Sequence, residues 1–306
     1  MDRVNDHRAG AAPSTRSGFV ALAGRPNVGK STLENALIGA KVAIVSDKPQ
    51  TTRRAIRGIA TGPDWQLVLV DLPGVQRPRD ALTDRMQRRV ERELGGADVC
   101  LFVVNAAEGI GAGDRFIARL LERSPVPVVV AVNKMDRVDR AAAVAVLQSA
   151  ADMGIGDEVF PISARTGSGV EALRDQLVSL LPEGPFYFAA DQQSDLRDDL
   201  RLAELVREQV LRRTREEIPH SVEVQIEAID SRREDLIRIE AVLLVETESQ
   251  KGIVIGAGGR MIKAIGIAAR QEIERELATR VHLELKVRVR RHWRADERVL
   301  DRLGIE

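Results

Sequence analysis

The sequence predicts an α/β chain of two folding units, a doubly wound parallel-sheet domain followed by a smaller α+β domain. Three observations carry this. The chain has 306 residues, about twice the soft prior of about 150 residues per domain. From residue 19 to about residue 181, short continuous apolar runs alternate with helical patterns, the rhythm of a sheet covered by helices on both faces. Beyond residue 198 the strand-like runs alternate in period two, as in a sheet with one solvated face.

In the first domain, taken as residues 18–181, the strands are FVALA (19–23), LVLV (67–70), VCLFVV (99–104), VPVVVAV (126–132) and VFPIS (159–163). Ligands in such folds bind beyond the carboxyl ends of the strands, so chemistry is sought in the residues that follow each run. Residues 182–197 hold Pro182, Pro185 and then acids and amides, and read as a linker. The second domain, 198–306, reads in order as a helix to about residue 217, SVEVQIEAI, LIRIEAVLLVE, a glycine loop with a helix to about residue 279, and VHLELKVRVR. That order is helix, strand, strand, helix, helix, strand. Residues 1–17 lack an apolar central region and read as a disordered tail, not a signal peptide.

Lys+Arg and Asp+Glu both number 46, so composition gives no warrant for a generally basic nucleic-acid binder, and local distribution decides. The one cysteine, Cys100, lies within an apolar run, which excludes an intrachain disulfide and fits a reducing cytoplasm. No run approaches the roughly 18 apolar residues that span a bilayer.

GRPNVGKS, residues 24–31, follows FVALA directly and matches G-x-x-x-x-G-K-[ST] in the required strand-loop-helix context. Gly24 and Gly29 let the loop bend so that its backbone N–H groups face a phosphate, from Arg25 past Pro26, which has no N–H, through Asn27 and Val28 to Thr32. Lys30 reaches β- and γ-phosphates, and the Ser31 hydroxyl is a candidate ligand for Mg²⁺. After LVLV stands Asp71-Leu72-Pro73-Gly74, where the carboxylate can hold Mg²⁺ through water and the glycine N–H can meet a γ-phosphate. After VPVVVAV stands Asn133-Lys134-Met135-Asp136; a carboxylate there accepts paired hydrogen bonds from guanine N1 and N2, which adenine cannot supply. Ser163-Ala164-Arg165 then offers a backbone N–H to guanine O6. Four motifs in order, each closing a predicted strand, point to GTP. Thr51 and Thr52, within SDKPQTTRRAI, are candidates for a threonine that closes on Mg²⁺ when the γ-phosphate is present, and Thr52 is favoured by its place before Arg53. Lys30, Thr52 and Gly74 are the candidates for direct action on the γ-phosphate. Val75 stands where many GTPases carry a water-orienting glutamine, which predicts slow intrinsic turnover.

GRPNVGKSTL, PQTTR, DLPG, NKMD, SAR, IVIGAGGRMIKAIGIAAR, VHLEL and W-x-x-D together resemble the Era family, over nearly the whole chain from Gly18 to Gly304. That family joins a doubly wound P-loop GTPase domain to an α+β type II KH domain and is involved in maturing the small ribosomal subunit. The resemblance implies GTP hydrolysis with Mg²⁺, binding to RNA near the 3′ end of small-subunit ribosomal RNA, and peripheral association with the cytoplasmic membrane face. Asn27 occupies a position where related GTPases help hold K⁺; the alternative is an asparagine that only stabilises the turn. The chain departs from the family at Leu72, usually threonine, and at Glu34, usually leucine.

The second glycine loop lacks a Lys-Ser ending and does not follow a strand that closes an α/β unit, so a second nucleotide site is not expected. Gly256-Ala257-Gly258-Gly259 instead fits the G-x-x-G of KH domains, which clamps the backbone of about four single-stranded nucleotides. Lys251, Ile255, Arg260 and Lys263 flank it. The family loop commonly carries a lysine, absent here. From residue 249 to 294 there are 11 basic and 4 acidic residues, an expected positive footprint. The competing reading is a GTP-switched scaffold whose KH-like domain docks protein.

Overall fold

The computed structural model describes residues 15–48, 51–54, 56–74, 80–123, 125–156, 158–233 and 235–305. In the first domain β1 (Arg16–Ala23) leads through the glycine loop into α1 (Lys30–Ile38). There follow β2 (Ile56–Thr61), β3 (Trp65–Asp71), α2 (Ala81–Gly95), β4 (Val99–Asn105), α3 (Ala112–Leu121) and β5 (Val128–Asn133). The domain closes with α4 (Arg140–Ala151), β6 (Val159–Pro161) and α5 (Val170–Leu180). The sheet order is β2-β3-β1-β4-β5-β6, with every neighbouring pair parallel except β2 against β3. Every residue of β4 is buried, because separate apolar clusters cover the two faces of the sheet, around Phe102 and Leu72 on one side and Leu33 and Leu101 on the other. Strand order reverses at β1, which puts the glycine loop at the crevice where such folds bind ligands.

Three boundaries differ from the expectation. β2 was not expected: IRGIAT is a short antiparallel edge strand, interrupted by Gly58, and lacks the continuous apolar signature of the inner strands. The expected tail lies outside the described residues up to residue 14, but Arg16 and Ser17 belong to β1, paired with Trp65 and Gln66. The expected linker is docked along the sheet edge. Gln66 Oε1 accepts from the backbone N–H groups of Tyr187 and Phe188 at 2.8 and 2.9 Å, and Ile59 N–H donates to Gln193 O at 2.9 Å. Its polar string covers the edge that β2 would otherwise leave unpaired.

The second domain contains α6 (Asp198–Arg213), α7 (Ile218–Ser221), β7 (Glu223–Arg233), β8 (Leu236–Val245), α8 (Glu248–Ile255), α9 (Arg260–Leu277), β9 (Arg280–Val289) and α10 (Glu297–Arg302). Its sheet runs β7-β8-β9, antiparallel then parallel. One face packs on Leu205 and Val206 of α6, Val254 of α8, and Ile265, Ala269 and Ile273 of α9. From the other face Val242 and Leu244 join Trp293, Leu300 and Ile305 against Leu82 and Met86 of α2, so the first domain supplies part of this core. The stretch Glu248–Leu277 is long and apolar enough for a membrane span by length and mean hydropathy, 1.4, contrary to the expectation that none would be. It is broken at Gly258, whose φ/ψ is non-helical, and its buried face is committed to the KH-like core.

Candidate functional site

The phosphate loop is fixed by main-chain geometry and by the neighbouring strand ends. Gly24 and Gly29 have φ of 152° and 103°, and a Cβ on the first would lie 2.5 Å from Val103 O, on the second closer still to Asn133 Nδ2. The Lys30 ammonium, buried, donates to Gly24 O at 3.1 Å and Arg25 O at 3.3 Å. Burial lowers its pKa against the opposing pull of Asp71. Asn133 Nδ2 donates to Val28 O at 3.0 Å, and Lys134 Nζ to Asn27 O at 2.5 Å. Thus the end of β5 braces the glycine loop. A Cβ on Gly74 would meet Pro26 at 2.7 Å, so that glycine is tucked against the loop as well.

Three oxygens converge at the end of the loop. Ser31 Oγ donates to Asp71 Oδ2 at 2.5 Å, and Thr52 Oγ1 lies 2.9 Å from the same oxygen and 3.1 Å from Ser31 Oγ. Asp71 Oδ1 is buried without a hydrogen-bond partner, and burial raises the Asp71 pKa, opposed by Lys30, Ser31 and Thr52. A buried carboxylate with an orphaned oxygen beside two hydroxyls is a hard oxygen donor set of the kind Mg²⁺ takes with phosphate and water, so the residues fit that ion. Thr51 Oγ1 instead closes a turn on Lys48 O at 2.6 Å.

Asp136, at the far end of the cleft, accepts from Ser163 Oγ at 2.6 Å and from Arg165 Nη2 at 2.6 Å, which hold its carboxyl below the usual range. Met135 packs against the core. Several expected ligand residues take other roles. Leu72 is fully buried in the core, so its side chain does not face a nucleotide; an apolar residue at the end of β3 packs inward, beneath the α-helical layer. Val28 is likewise core, and only its backbone can contribute. Of the Ser163-Ala164-Arg165 amides considered for guanine O6, that of Ala164 donates to Asn133 Oδ1 at 3.0 Å. The Arg25 side chain turns to buried Asp114 at 2.9 Å and to Glu108 at 3.2 Å, a brace whose only sequence signal is an acid in the first turn of α3. Asn27 has a left-handed φ of 66° and donates to Asp47 O at 2.9 Å, both properties of a turn-stabilising asparagine. Thr32 and Pro73 flank the cleft in sequence, and Val75 lies outside the described residues.

The second loop stands between α8 and α9, with its glycines at φ 73° (Gly256), 59° (Gly258) and 76° (Gly259). Ala257, Gly258, Arg260 and Lys263 are exposed, while Lys251 and Ile255 are half-buried. Arg260 Nε donates to Ala257 O at 3.2 Å. Beside the loop, Lys263, Gly266, Ile267 and Arg270 of α9 and Leu283 and Leu285 of β9 line an apolar-floored groove of about 330 Å³. The basic excess expected of this domain is reduced by acids outside the window counted: Glu227 pairs with Arg288, Glu240 with Lys286, Asp296 with Arg290 and Asp80 with Arg294. A count over the window misses these partners, since Glu227 and Glu240 come from β7 and β8, Asp296 from the cap of α10 just beyond the window, and Asp80 from the first domain.

A doubly wound sheet with a braced glycine loop and a Ser-Thr-Asp oxygen cluster, joined to a KH domain, defines a P-loop GTPase with an RNA-binding type of second domain. The comparisons agree: residues 19–134 match the 50S ribosome-binding GTPase family model, and residues 217–294 match the KH domain. GTPase Era of Lactobacillus helveticus is 45% identical over 291 residues, covering 95% of this chain and 96% of that one. GTPase Era of Mycobacterium tuberculosis is 46% identical over 295 residues, covering 94% and 98%. A solved structure of Era in complex with MgGDPNP and nucleotides 1506–1542 of 16S ribosomal RNA superposes with a TM-score of 0.92 at 35% identity, covering 95% of this chain and 99% of that one. A single-residue variant of Aquifex aeolicus Era bound to GDP·AlF4⁻ gives a TM-score of 0.91 at 35% identity, covering the same shares of the two chains. The chain belongs to the Era family of GTPases.

Proposed function

We propose that this GTPase binds the 3′ region of small-subunit ribosomal RNA through Gly256–Gly259 and the adjoining groove, acts in assembly of the small ribosomal subunit, and is controlled by its nucleotide state. The observation that carries the reading is the pairing of a braced phosphate loop with an exposed G-x-x-G loop on one chain. Its relative was solved with a GTP analogue and a 16S RNA segment together. Lys30 and the loop amides hold the phosphates, and Asp136 selects guanine once Arg165 yields its place. Ser31, Thr52 and Asp71 would hold Mg²⁺, which when bound neutralises charge on the β- and γ-phosphates. Gly74 N–H addresses the γ-phosphate. K⁺ at Asn27 is the finer part of the proposal, as is peripheral contact with the inner membrane face by a protein working in the cytoplasm.

Crosslinking and sequencing of RNA bound to the full chain, with GDP and with a non-hydrolysable GTP analogue, tests this. The expected result is enrichment of the small-subunit 3′ region that changes with the nucleotide. Equal recovery of unrelated RNAs in both states, or protein recovered without RNA after high-salt washing, overturns it.

A further inference from the structure

The backbone that carries Thr52 is held from the other domain. Arg207 of α6, fully buried, donates through Nη2 to Thr51 O and also grips Glu204 at 2.9 Å. On the other side of Thr52, the Arg53 guanidinium is enclosed by Val222 O at 2.7 Å, Pro219 O at 3.0 Å, His220 O at 2.9 Å and Glu223 at 2.8 Å. Arg54 reaches Leu303 O at 2.7 Å, Glu204, and Glu223 at 3.3 Å. Three buried guanidinium groups thus share two buried carboxylates, and main-chain carbonyls satisfy part of the excess.

A buried ionic cluster is a poor source of net stability, because desolvation offsets the attraction; its attested use is to fix geometry. Here the geometry is specific. The Thr51 carbonyl and the Thr52 amide belong to one planar peptide, so a guanidinium on that carbonyl orients the residue whose hydroxyl sits 2.9 Å from Asp71 and 3.1 Å from Ser31. A separate interdomain contact, Arg201 with Lys41 O at 2.5 Å and with Val42 O, docks the domains without touching this peptide.

We propose that Arg207 is a positioning residue for the GTPase reaction: by holding the Thr51–Thr52 peptide it presents the Thr52 hydroxyl to the magnesium and γ-phosphate site, so that the RNA-binding domain completes the nucleotide switch. The proposal rests on the GTPase reading above. By linkage, a nucleotide that recruits Thr52 favours this domain arrangement to the extent that the arrangement favours the nucleotide.

The test uses the full chain and fluorescent GDP and non-hydrolysable GTP analogue, each titrated at several Mg²⁺ concentrations. Arg207→Met removes the donor and leaves two cations for two carboxylates, so it is milder on folding than loss of Glu204 or Glu223. It should weaken binding of the Mg²⁺-analogue complex by about tenfold, as for one charge-assisted hydrogen bond, raise the Mg²⁺ needed for half-saturation, and leave GDP binding unchanged. Arg201→Gln, which loosens docking without touching the Thr51–Thr52 peptide, should cost the analogue less than Arg207→Met does and leave GDP binding unchanged. In a Thr52→Ala background, Arg207→Met should add no further loss. Should Arg207→Met fail to fold, Arg207→Lys, which keeps the charge without the two-pronged reach, is read the same way. An unchanged analogue affinity, an equal loss in Arg201→Gln, or a full additional loss on top of Thr52→Ala each overturns the proposal. Failure of the unaltered protein to bind either nucleotide would instead sink the GTPase reading.

Discussion

The two glycine loops use the same residue for opposite reasons. At Gly24 and Gly29 a Cβ would collide with Val103 O and with Asn133 Nδ2, so glycine is there because the surrounding protein has already taken the space. At Gly258 and Gly259, unlike Gly256, whose Cβ would meet Met261 at 2.7 Å, nothing lies within 4 Å of a built Cβ, and only φ of 59° and 76° favours glycine. The first loop is enclosed by its own fold and suits a small ligand of fixed shape. The second is open on its outer side and suits a polymer backbone that must approach from solvent.

The sharpest way to break this contrast is Gly29→Ala. Steric overlap and a left-handed φ should together cost nucleotide affinity about 100-fold, read by fluorescent GTP titration; a change below about threefold would mean the loop is not braced as described. Gly259→Asp comes next. Asp tolerates left-handed backbone, so the fold persists, but its charge should reduce single-stranded RNA binding about tenfold in filter binding while GTP affinity stays put. Loss of both ligands would remove the distinction between the loops.

A smaller effect concerns a flaw beneath the braced loop. Glu34 of α1 is fully buried; the Gly58 amide approaches it, yet neither carboxyl oxygen makes a hydrogen bond of normal geometry. Burial, then Asp71, pushes its pKa well up. With the folded pKa above the unfolded value, the folded state holds the proton more tightly, so stability present below the unfolded pKa is lost as pH rises toward the folded one. Glu34→Leu should therefore stabilise by about 1–2 kcal/mol at about pH 8 and by less near about pH 5, read by denaturant midpoints. A gain independent of pH would show that the carboxyl does not titrate as argued. The smallest effect is Ala257→Lys. If the open loop faces phosphate, RNA binding tightens a few-fold and the slope of log K against log salt steepens by about 0.7; tighter binding with an unaltered slope would place the lysine away from phosphate.

How much of this could be read beforehand follows from range. The inner strands and both loops were legible because their signals are local: continuous apolar runs, and glycines at fixed offsets from a strand or helix. Thr52 could be preferred to Thr51 from its place before Arg53, and the structure sets Thr52 beside Asp71. The edge strand β2 was not legible, since it is short, holds Gly58 and has its outer edge closed by distant residues 193–195. Arg53 and Arg54 read as ordinary residues of an arginine-rich chain, because their partners on α6, β7 and the Leu303 carbonyl lie more than a hundred positions away. Leu72 reads as part of a nucleotide motif and is core, because the same tetrapeptide must both end a buried strand and begin a loop.

The packing of α2 carries a consequence for the order in which the chain is made. Its inward residues Leu82 and Met86 are covered by Trp293, Val299, Leu300, Leu303 and Ile305, and Arg85 is tied to Ile305 O across 220 positions. During translation the first domain can close its sheet long before those residues leave the ribosome. Until then Leu82 and Met86 have no cover, although Val90 and Leu94 of the same helix already pack in the core around Phe102, and a nascent chain paused between the domains would present them to chaperones or to other chains.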